Sequence, residues 1–442
     1  MQQDYLILGL ARSGLAALRW LVEREHTVYV SDANPDNVTA ACAEGGRAWT
    51  DKQDFSRLKA LIQSPGIPLD HPLTKLAQSH GVTVMGDVDL FRQSYPSAKI
   101  VGITGTNGKS TTTALVGHIL EQCSVPAAVG GNIGVPVMSL PVLPDNGIYV
   151  FELSSYQLEL SHCLEPTIAA WTNITPDHLE RHKSMGNYVY AKSQIFASAM
   201  VPPLSVISVD DPYSKDVYSR MSASHPGFFT PVSVQRPLVK GVFVFEDALI
   251  DSTCDERLNL GDISKLDRLK GAHNYQNIAI AYGVCRQLGL DPHQIMDAIQ
   301  TFPGLAHRQE YVATLKGIMF INDSKATNAD ATSHALKTYD NIYWIVGGVA
   351  KSDGIDDLLP LLSKVKKAYF IGESSDHFTQ TLSGRLPYEA CGTMDNAVKR
   401  AYADAAERGE GIVLLSPACA SFDQFRDFEH RGDTFKEIIS KL

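Results

Sequence analysis

The sequence predicts an α/β protein with parallel sheets spread over two or three domains. Three observations carry this expectation. A chain of 442 residues exceeds what one hydrophobic core usually organises. Short apolar runs alternate with helix-length segments along its whole length. Two of those runs pass directly into Gly-containing turns, where a strand would hand over to a helix.

The first run, Tyr5-Leu6-Ile7-Leu8, enters such a turn. A helical stretch to about Glu25 follows, then Thr27-Val28-Tyr29-Val30 ending at Asp32, which together make a βαβ opening. Polar punctuation at Ser94-Tyr95-Pro96-Ser97 precedes a strand from Ile100 to Ile103 that runs into a Gly-rich loop. Further strands are read at Ile148-Tyr149-Val150-Phe151, Ile168-Ala169-Ala170-Trp171 and Val206-Ile207-Ser208-Val209. Each ends in polar residues, where α/β folds place their chemistry. Pro303-Gly304 breaks the pattern, and strands from Ile318 to Ile321, Ile342 to Val346, Ala368 to Ile371 and Ile412 to Leu415 follow. The expected division is therefore three domains, 1–93, 94–304 and 305–442, with antiparallel pieces admitted only near 230–260.

The composition excludes several classes. No stretch approaches the roughly 18 apolar residues that a spanning helix needs, so no membrane passage is expected. The opening Met1-Gln2-Gln3-Asp4-Tyr5 lacks a basic n-region, and the expected compartment is the cytoplasm. A net charge of -10 would repel a nucleic-acid backbone, and no basic patch offsets it. The seven cysteines are scattered and never spaced as CxxC, so they read as reduced thiols rather than as disulfides or a zinc site. A monomer is expected.

Gly102-Ile103-Thr104-Gly105-Thr106-Asn107-Gly108-Lys109-Ser110-Thr111 follows a strand and precedes a helix, the context that a phosphate-binding loop requires. Backbone N–H groups and the helix N-terminus would hold anionic oxygens, Lys109 would neutralise β/γ charge, and the Ser110 or Thr111 hydroxyl would reach Mg²⁺. The strict spacing fails by one position, because Ile103 stands where the first glycine belongs; a Gly-rich turn without a ligand is the bland alternative. Gly9-Leu10-Ala11-Arg12-Ser13-Gly14 with Asp32 is close to a dinucleotide fingerprint, but the Cβ of Ala11 obstructs a pyrophosphate. That leaves a nucleotide-sugar, with Asp32 accepting hydrogen bonds, or a tight turn that holds nothing. Glu152, at a strand end beside the loop, can hold a metal bound to ATP. His178 and Lys192, taken alone, read as a structural histidine and a solvated helix residue.

The order of these pieces resembles the Mur ligase family from end to end. The matching segments are GTNGKST (105–111), GGNIG (130–134), ELSSYQLE (152–159), NITPDHLERH (173–182), HNYQN (273–277), HR (307–308), NDSKATN (322–328) and SPACASFDQFRDFEHRG (416–432). The resemblance implies a Rossmann-like N-terminal domain for a UDP-sugar, a central P-loop-type ATPase domain, and a C-terminal dinucleotide-fold domain that brings an amino acid. It implies ATP and two Mg²⁺ ions. Gly105, Thr106, Asn107, Gly108, Lys109, Ser110 and Thr111 would bind ATP, with Asn274, Arg308, Asp323 and Lys325 completing that site. Ser110, Glu152, His178 and a carbamoylated Lys192 would hold metal, and Lys109, Lys192 and His178 would be catalytic. Arg12, Ser13, Asp32, Ser64, Gly66, Asn132 and His178 would bind the UDP-sugar.

Within the family, the GLARSG turn, Asp32, Ser64-Pro65-Gly66 and SPACASFDQF resemble members that add D-glutamate to UDP-N-acetylmuramoyl-L-alanine. Thr327, Lys351, Ser421 and Phe422 would then hold D-glutamate, with Phe428 packing nearby. The implied reaction forms an acyl phosphate that the glutamate nitrogen attacks, in a cleft closed by the C-terminal domain. Two other classes stay open at this point: a P-loop regulatory ATPase, which leaves SKATN and SPACAS unexplained, and a nicotinamide oxidoreductase, which Ala11 disfavours.

Overall fold

The computed structural model describes residues 3–50, 54–132, 134–197, 201–266, 268–269, 271–350 and 354–442. They form two compact units. One comprises Met1–Ile263 with Asn274–Thr301, and the other comprises Ser264–His273 with Phe302–Leu442.

The first unit contains two sheets. Strands β1 (Asp4–Leu8), β2 (Thr27–Ser31), β3 (Arg47–Ala48), β4 (Leu58–Gln63) and β5 (Thr83–Met85) form a parallel five-stranded sheet in the order β3-β2-β1-β4-β5. Chain order reverses between β1 and β4, and a crevice opens at such a switch point beyond the strand ends. The helix Arg12–Val22 crosses over from β1 and buries Ala16, Ala17, Leu18 and Leu21.

The second sheet has nine strands: β6 (Lys99–Thr104), β7 (Ala127–Gly131), β8 (Ile148–Glu152), β9 (Ile168–Trp171), β10 (Leu204–Ser208), β11 (Phe229–Ser233), β12 (Gly241–Phe245), β13 (Ala248–Ser252) and β14 (Leu258–Asp262). Their order is β14-β13-β12-β11-β10-β9-β6-β8-β7. The central strands β6 and β8 read as continuous apolar runs because helices cover both faces, which is the rule for parallel sheets. β12 to β14 are antiparallel, inside the stretch where the sequence admitted it. Glu246 and Asp247, both with positive φ (48° and 62°), make the two-residue turn between β12 and β13. That conformation matches the twist of the flanking strands.

The other unit carries β15 (Glu310–Leu315), β16 (Ile318–Asn322), β17 (Ile342–Gly347), β18 (Val365–Ile371), β19 (Tyr388–Gly392) and β20 (Gly411–Leu415) in the order β15-β16-β20-β17-β18-β19. The sequence expected antiparallel pairing only near 230–260. Instead β15 and β16 also pair antiparallel, through a second two-residue turn at Lys316-Gly317, both residues with positive φ. All seven cysteines are unbridged. Among the described residues no helix is long and apolar enough to cross a membrane.

Candidate active site

β6 delivers the chain into the loop 105–108, and the helix Lys109–Gln122 begins immediately after it. The neighbouring strand end pins the loop. Thr106 N–H donates to the Asn173 carbonyl at 2.7 Å, Asn107 N–H donates to Asn173 Oδ1 at 3.0 Å, and the Thr172 hydroxyl donates to the Asn107 carbonyl at 2.6 Å. Two positions need glycine. Gly105 has φ 142°, and a Cβ there would lie 1.9 Å from Thr172 Oγ1. Gly108 has φ 82°, and a Cβ there would meet Asn277 Oδ1 at 2.2 Å. The missing first glycine of the strict spacing has a plain reason: Ile103 is a buried residue of β6, so the loop starts later than in a P-loop of standard spacing.

Two lysines meet this loop by their ammonium groups. Lys109 Nζ donates to the Thr106 carbonyl at 2.6 Å, and Lys192 Nζ donates to the Gly105 carbonyl at 2.7 Å. Lys192 is 1% exposed, against the solvated helix residue that composition alone suggests. The helix Met185–Ser193 turns Tyr188, Ala191 and Lys192 inward, and the Lys192 ammonium lies 4.8 Å from the Tyr188 ring centroid. Burial pushes the Lys192 pKa well down, and the charge of Lys109 adds to it; Asp177 and Glu152 offset only part.

Glu152 ends β8 as a buried carboxylate and accepts from Asn132 Nδ2 at 2.7 Å. His178 is half-buried, with a left-handed backbone (φ 54°) at the start of the helix Leu179–His182. Its Nδ1 lies 3.1 Å from the Tyr156 hydroxyl, and its Nε2 lies 3.5 Å from Asp177 Oδ2. A left-handed histidine is strained backbone that its surroundings must hold in place. Ser110 is buried at the helix start. Asn274 accepts from Asn277 Nδ2 at 3.0 Å, and Asn277 in turn accepts from Thr112 at 3.2 Å, so Asn274 stands behind the loop-helix junction.

A cavity of about 680 Å³ joins this region to the reversal point of the five-stranded sheet. Of the residues singled out in the sequence, Arg12, Ser13, Asp32, Ser64, Gly66, Asn132, Lys109, His178 and Lys192 all line it. The turn after β1 is built by its neighbours: the Ser64 hydroxyl donates to the Gly9 carbonyl at 2.7 Å, and Arg12 donates to the Gly134 carbonyl. Asp32 accepts from Leu10 N–H at 2.6 Å, Asn34 N–H at 2.9 Å and Asn37 Nδ2 at 3.1 Å. Burial raises its pKa, but these donors outweigh burial and leave it below its ordinary value. Asp32 therefore shapes the turn, whatever else it binds. Tyr156, Gln157 and Tyr188 also line the cavity. The sequence analysis assigned them no role, although Tyr156 and Gln157 sit inside a segment that it quoted.

In the other unit, Asp323 follows β16 as a buried carboxyl that accepts from the Ser416 hydroxyl at 2.8 Å and from Gln309 N–H at 3.1 Å. Burial pushes it up to about 7 against those hydrogen bonds and the charge of Arg308. The Lys325 ammonium lies 3.7 Å from the Phe428 ring centroid. Thr327 N–H donates to the Lys325 carbonyl. Ser421 is buried and Phe422 is 74% exposed, so Phe428 rather than Phe422 carries the ring contact with the SKATN segment. Lys351 lies outside the described residues. The loop before it is anchored: Val349 and Ala420 exchange backbone hydrogen bonds, and Ala350 N–H donates to the Ser374 hydroxyl at 3.0 Å.

Comparison with known proteins places this geometry. Residues 3–86 match the Mur ligase MurD-like N-terminal domain, residues 103–285 the Mur ligase middle domain, and residues 307–419 the Mur ligase glutamate ligase domain. A UDP-N-acetylmuramoylalanine--D-glutamate ligase of Caulobacter sp. (strain K31) is 43% identical over 448 residues, covering 99% of this chain and 96% of the relative. The enzyme of the same name from Rhodospirillum rubrum is 44% identical over 453 residues, covering 100% and 95%. Among solved structures, MurF from Acinetobacter baumannii superposes with a TM-score of 0.64 at 16% identity over 98% of this chain and 93% of that one. The UDP-N-acetylmuramate-alanine ligase MurC from Thermotoga maritima gives 0.61 at 17% identity over the whole of both chains. With near-complete coverage at this identity and all three domain types in order, the chain belongs to the Mur ligase family and has its three-domain α/β fold.

Proposed function

We propose that this chain is an ATP-dependent cytoplasmic ligase that joins D-glutamate to UDP-N-acetylmuramoyl-L-alanine, a step of peptidoglycan precursor synthesis. The supporting observation is the cavity in which the turns at 9–13 and 64–67 face Lys109, His178 and Lys192. One substrate reaching from a nucleotide-sugar site to a phosphate loop would span that space. In this reading 1–93 binds the UDP-sugar through Arg12, Ser13, Asp32, Ser64, Gly66, Asn132 and His178. Region 94–304 binds ATP through 105–111 and Asn274, and 305–442 contributes Arg308, Asp323 and Lys325. Thr327, Lys351, Ser421 and Phe422 serve D-glutamate, and the enzyme works as a monomer.

An amine does not displace hydroxide from a carboxylate at neutral pH, so the alanine carboxylate must first gain a leaving group. It attacks the γ-phosphate of ATP in line, giving an acyl phosphate and ADP; the glutamate nitrogen then displaces phosphate. Lys109 and the loop amides align and stabilise the transferring phosphoryl group. Alignment of the reactants alone can contribute about 7 kcal/mol or more to lowering the barrier.

The donor set suits Mg²⁺. Ser110 and Glu152 are buried oxygen donors beside the loop, and Mg²⁺ takes its remaining ligands from phosphates and water. Lys192 fits only if carbamoylated, which needs a neutral amine; burial and the charge of Lys109 favour one. Two ions held by Ser110, Glu152, His178 and the carbamate of Lys192 would offset phosphate charge when bound. The test is oxygen-18 transfer from the labelled alanine carboxylate. Label in the released phosphate supports the acyl phosphate, and unlabelled phosphate with amide product would overturn it.

A further inference from the structure

The turn 64–67 is held from outside its own sheet by a residue that the reading above does not use. This turn follows β4 as the turn 9–13 follows β1, so both stand at the reversal point of the five-stranded sheet and line the cavity. The two turns pack as one piece. A Cβ at Gly9, where φ is 89°, would lie 2.6 Å from Ile67 Cδ1 and 2.8 Å from Ser64 Cβ. Gly66 is open by contrast, since a Cβ there would meet nothing within 4 Å.

The Ile67 carbonyl anchors the far end of the turn and accepts twice. Gln63 Nε2 donates to it at 2.9 Å, while Gln63 Oε1 accepts from the Thr74 hydroxyl at 2.7 Å. The second donor is Arg181 Nη2 at 3.0 Å, from the helix Leu179–His182, 114 residues further along the chain. Arg181 is itself held: its Nε and Nη2 donate to Glu159 Oε2 at 3.2 and 3.0 Å, and the two side chains are only 14% and 16% exposed. The guanidinium carbon lies 5.1 Å from the ring centroid of Tyr156, which lines the cavity. A guanidinium serves a carboxylate and a carbonyl together because its donors spread in a rigid fork, a geometry that an ammonium lacks. Shielding from water strengthens both contacts beyond those of an exposed ion pair.

We infer that Arg181 is a positioning residue for the nucleotide end of the sugar-nucleotide substrate, setting the turn 64–67 against the helix that follows His178. This deepens the ligase reading above and rests on it. In that reading the substrate carboxylate must reach the phosphate loop at Lys109, so the nucleotide lies at the other end of the cavity, against the two turns. Arg181 does not line the cavity and acts through the Ile67 carbonyl. Its contribution is therefore the same before and during the chemical step. Loss of such uniform binding raises KM and leaves kcat unchanged.

The experiment uses the full chain and the Arg181→Met and Arg181→Lys variants. Steady-state kinetics with D-glutamate give kcat and the KM values for UDP-N-acetylmuramoyl-L-alanine and ATP, and UDP as a competing inhibitor probes the nucleotide end alone. Wild-type protein without D-glutamate-dependent phosphate release would overturn the ligase reading and this inference with it. With wild type active, Arg181→Met should raise the KM for the UDP-sugar and the inhibition constant of UDP by about tenfold, the effect of losing one charge-assisted hydrogen bond. Meanwhile kcat and the KM for ATP should stay within about threefold of wild type. Arg181→Lys keeps a cation beside Glu159 but loses the fork, and should show the same rise. Losses in kcat and the ATP KM as large as the change in UDP inhibition would mark an ion pair that only supports the fold, and would overturn the positioning role. Unchanged UDP inhibition in Arg181→Met, or wild-type values in Arg181→Lys, would overturn it equally. Arg181→Lys keeps the test open if Arg181→Met does not fold.

Discussion

Asp87 opens the helix Asp87–Ser94 as a carboxyl only 3% exposed, and among the described residues neither of its oxygens has a hydrogen-bond partner. Burial pushes its pKa from an ordinary 3.8 to about 6; the amides of Asp87 and Val88 and the side chains of Ser13 and Gln157 lie close enough to offset part of this without completing a hydrogen bond. A rise of that size corresponds to about 3 kcal/mol of cost for carrying the charge in the folded state. The folded protein holds this proton more tightly than the unfolded chain. Its contribution is therefore most favourable below about pH 3.8, declines as pH rises toward about 6, and is flat above. Between about pH 4.5 and about pH 7.5, wild type should lose about 2 kcal/mol that an Asp87→Asn variant does not lose. Asn keeps the shape and removes the charge, though its buried N–H groups cost about 1 kcal/mol or more if unpaired. The variant should be the more stable at about pH 7.5 and lose that advantage at about pH 4.5. Urea unfolding read by tryptophan fluorescence measures this. A Trp344→Phe background silences the tryptophan of 302–442 and leaves Trp20, Trp49 and Trp171 to report the unit that holds Asp87. Equal pH slopes in both proteins, or an Asn variant less stable at about pH 7.5, would refute the reasoning.

Three further outcomes are expected. Gly105→Ala forces a Cβ to 1.9 Å from Thr172 Oγ1 at a φ of 142°; strain of about 1–3 kcal/mol should weaken binding of a fluorescent ATP analogue by about tenfold or more, and unchanged affinity would contradict the loop geometry. Lys192→Ala should abolish phosphate release, and added bicarbonate should restore none of it; full activity would remove the carbamate role. Arg431 is fully buried and donates to Ser324 Oγ at 3.0 Å, the Ser324 carbonyl at 2.7 Å and the Cys419 carbonyl at 3.1 Å, tying the segments 322–328 and 416–421 together. Arg431→Met leaves those acceptors unpaired and should cost about 3 kcal/mol, seen as an earlier urea midpoint for the Trp344 signal; no shift would show the tie to be dispensable.

What was legible in the sequence was local. The βαβ opening and the loop after β6 announced themselves because strand, turn and helix are contiguous there. The hairpin at Lys316-Gly317 did not, because a two-residue turn beginning with lysine carries a weaker signal than Asn-Gly. Lys192 was unreadable by composition: nothing in Tyr190-Ala191-Lys192-Ser193 tells which face packs inward, and only the family resemblance singled it out. Phe422 and Phe428 show what the segment alone leaves open. The place of Phe422 in SPACASFDQF made it a candidate, while the folded chain leaves it exposed and turns Phe428 toward Lys325.

The most direct measurement incubates the purified chain with ATP, Mg²⁺ and UDP-N-acetylmuramoyl-L-alanine. D-glutamate, L-glutamate, L-alanine, L-lysine and diaminopimelate are supplied in separate reactions, with phosphate release and product mass followed together. The account predicts release with D-glutamate alone, and a product heavier by one glutamyl residue. Release with another acceptor, or none with any, would contradict it.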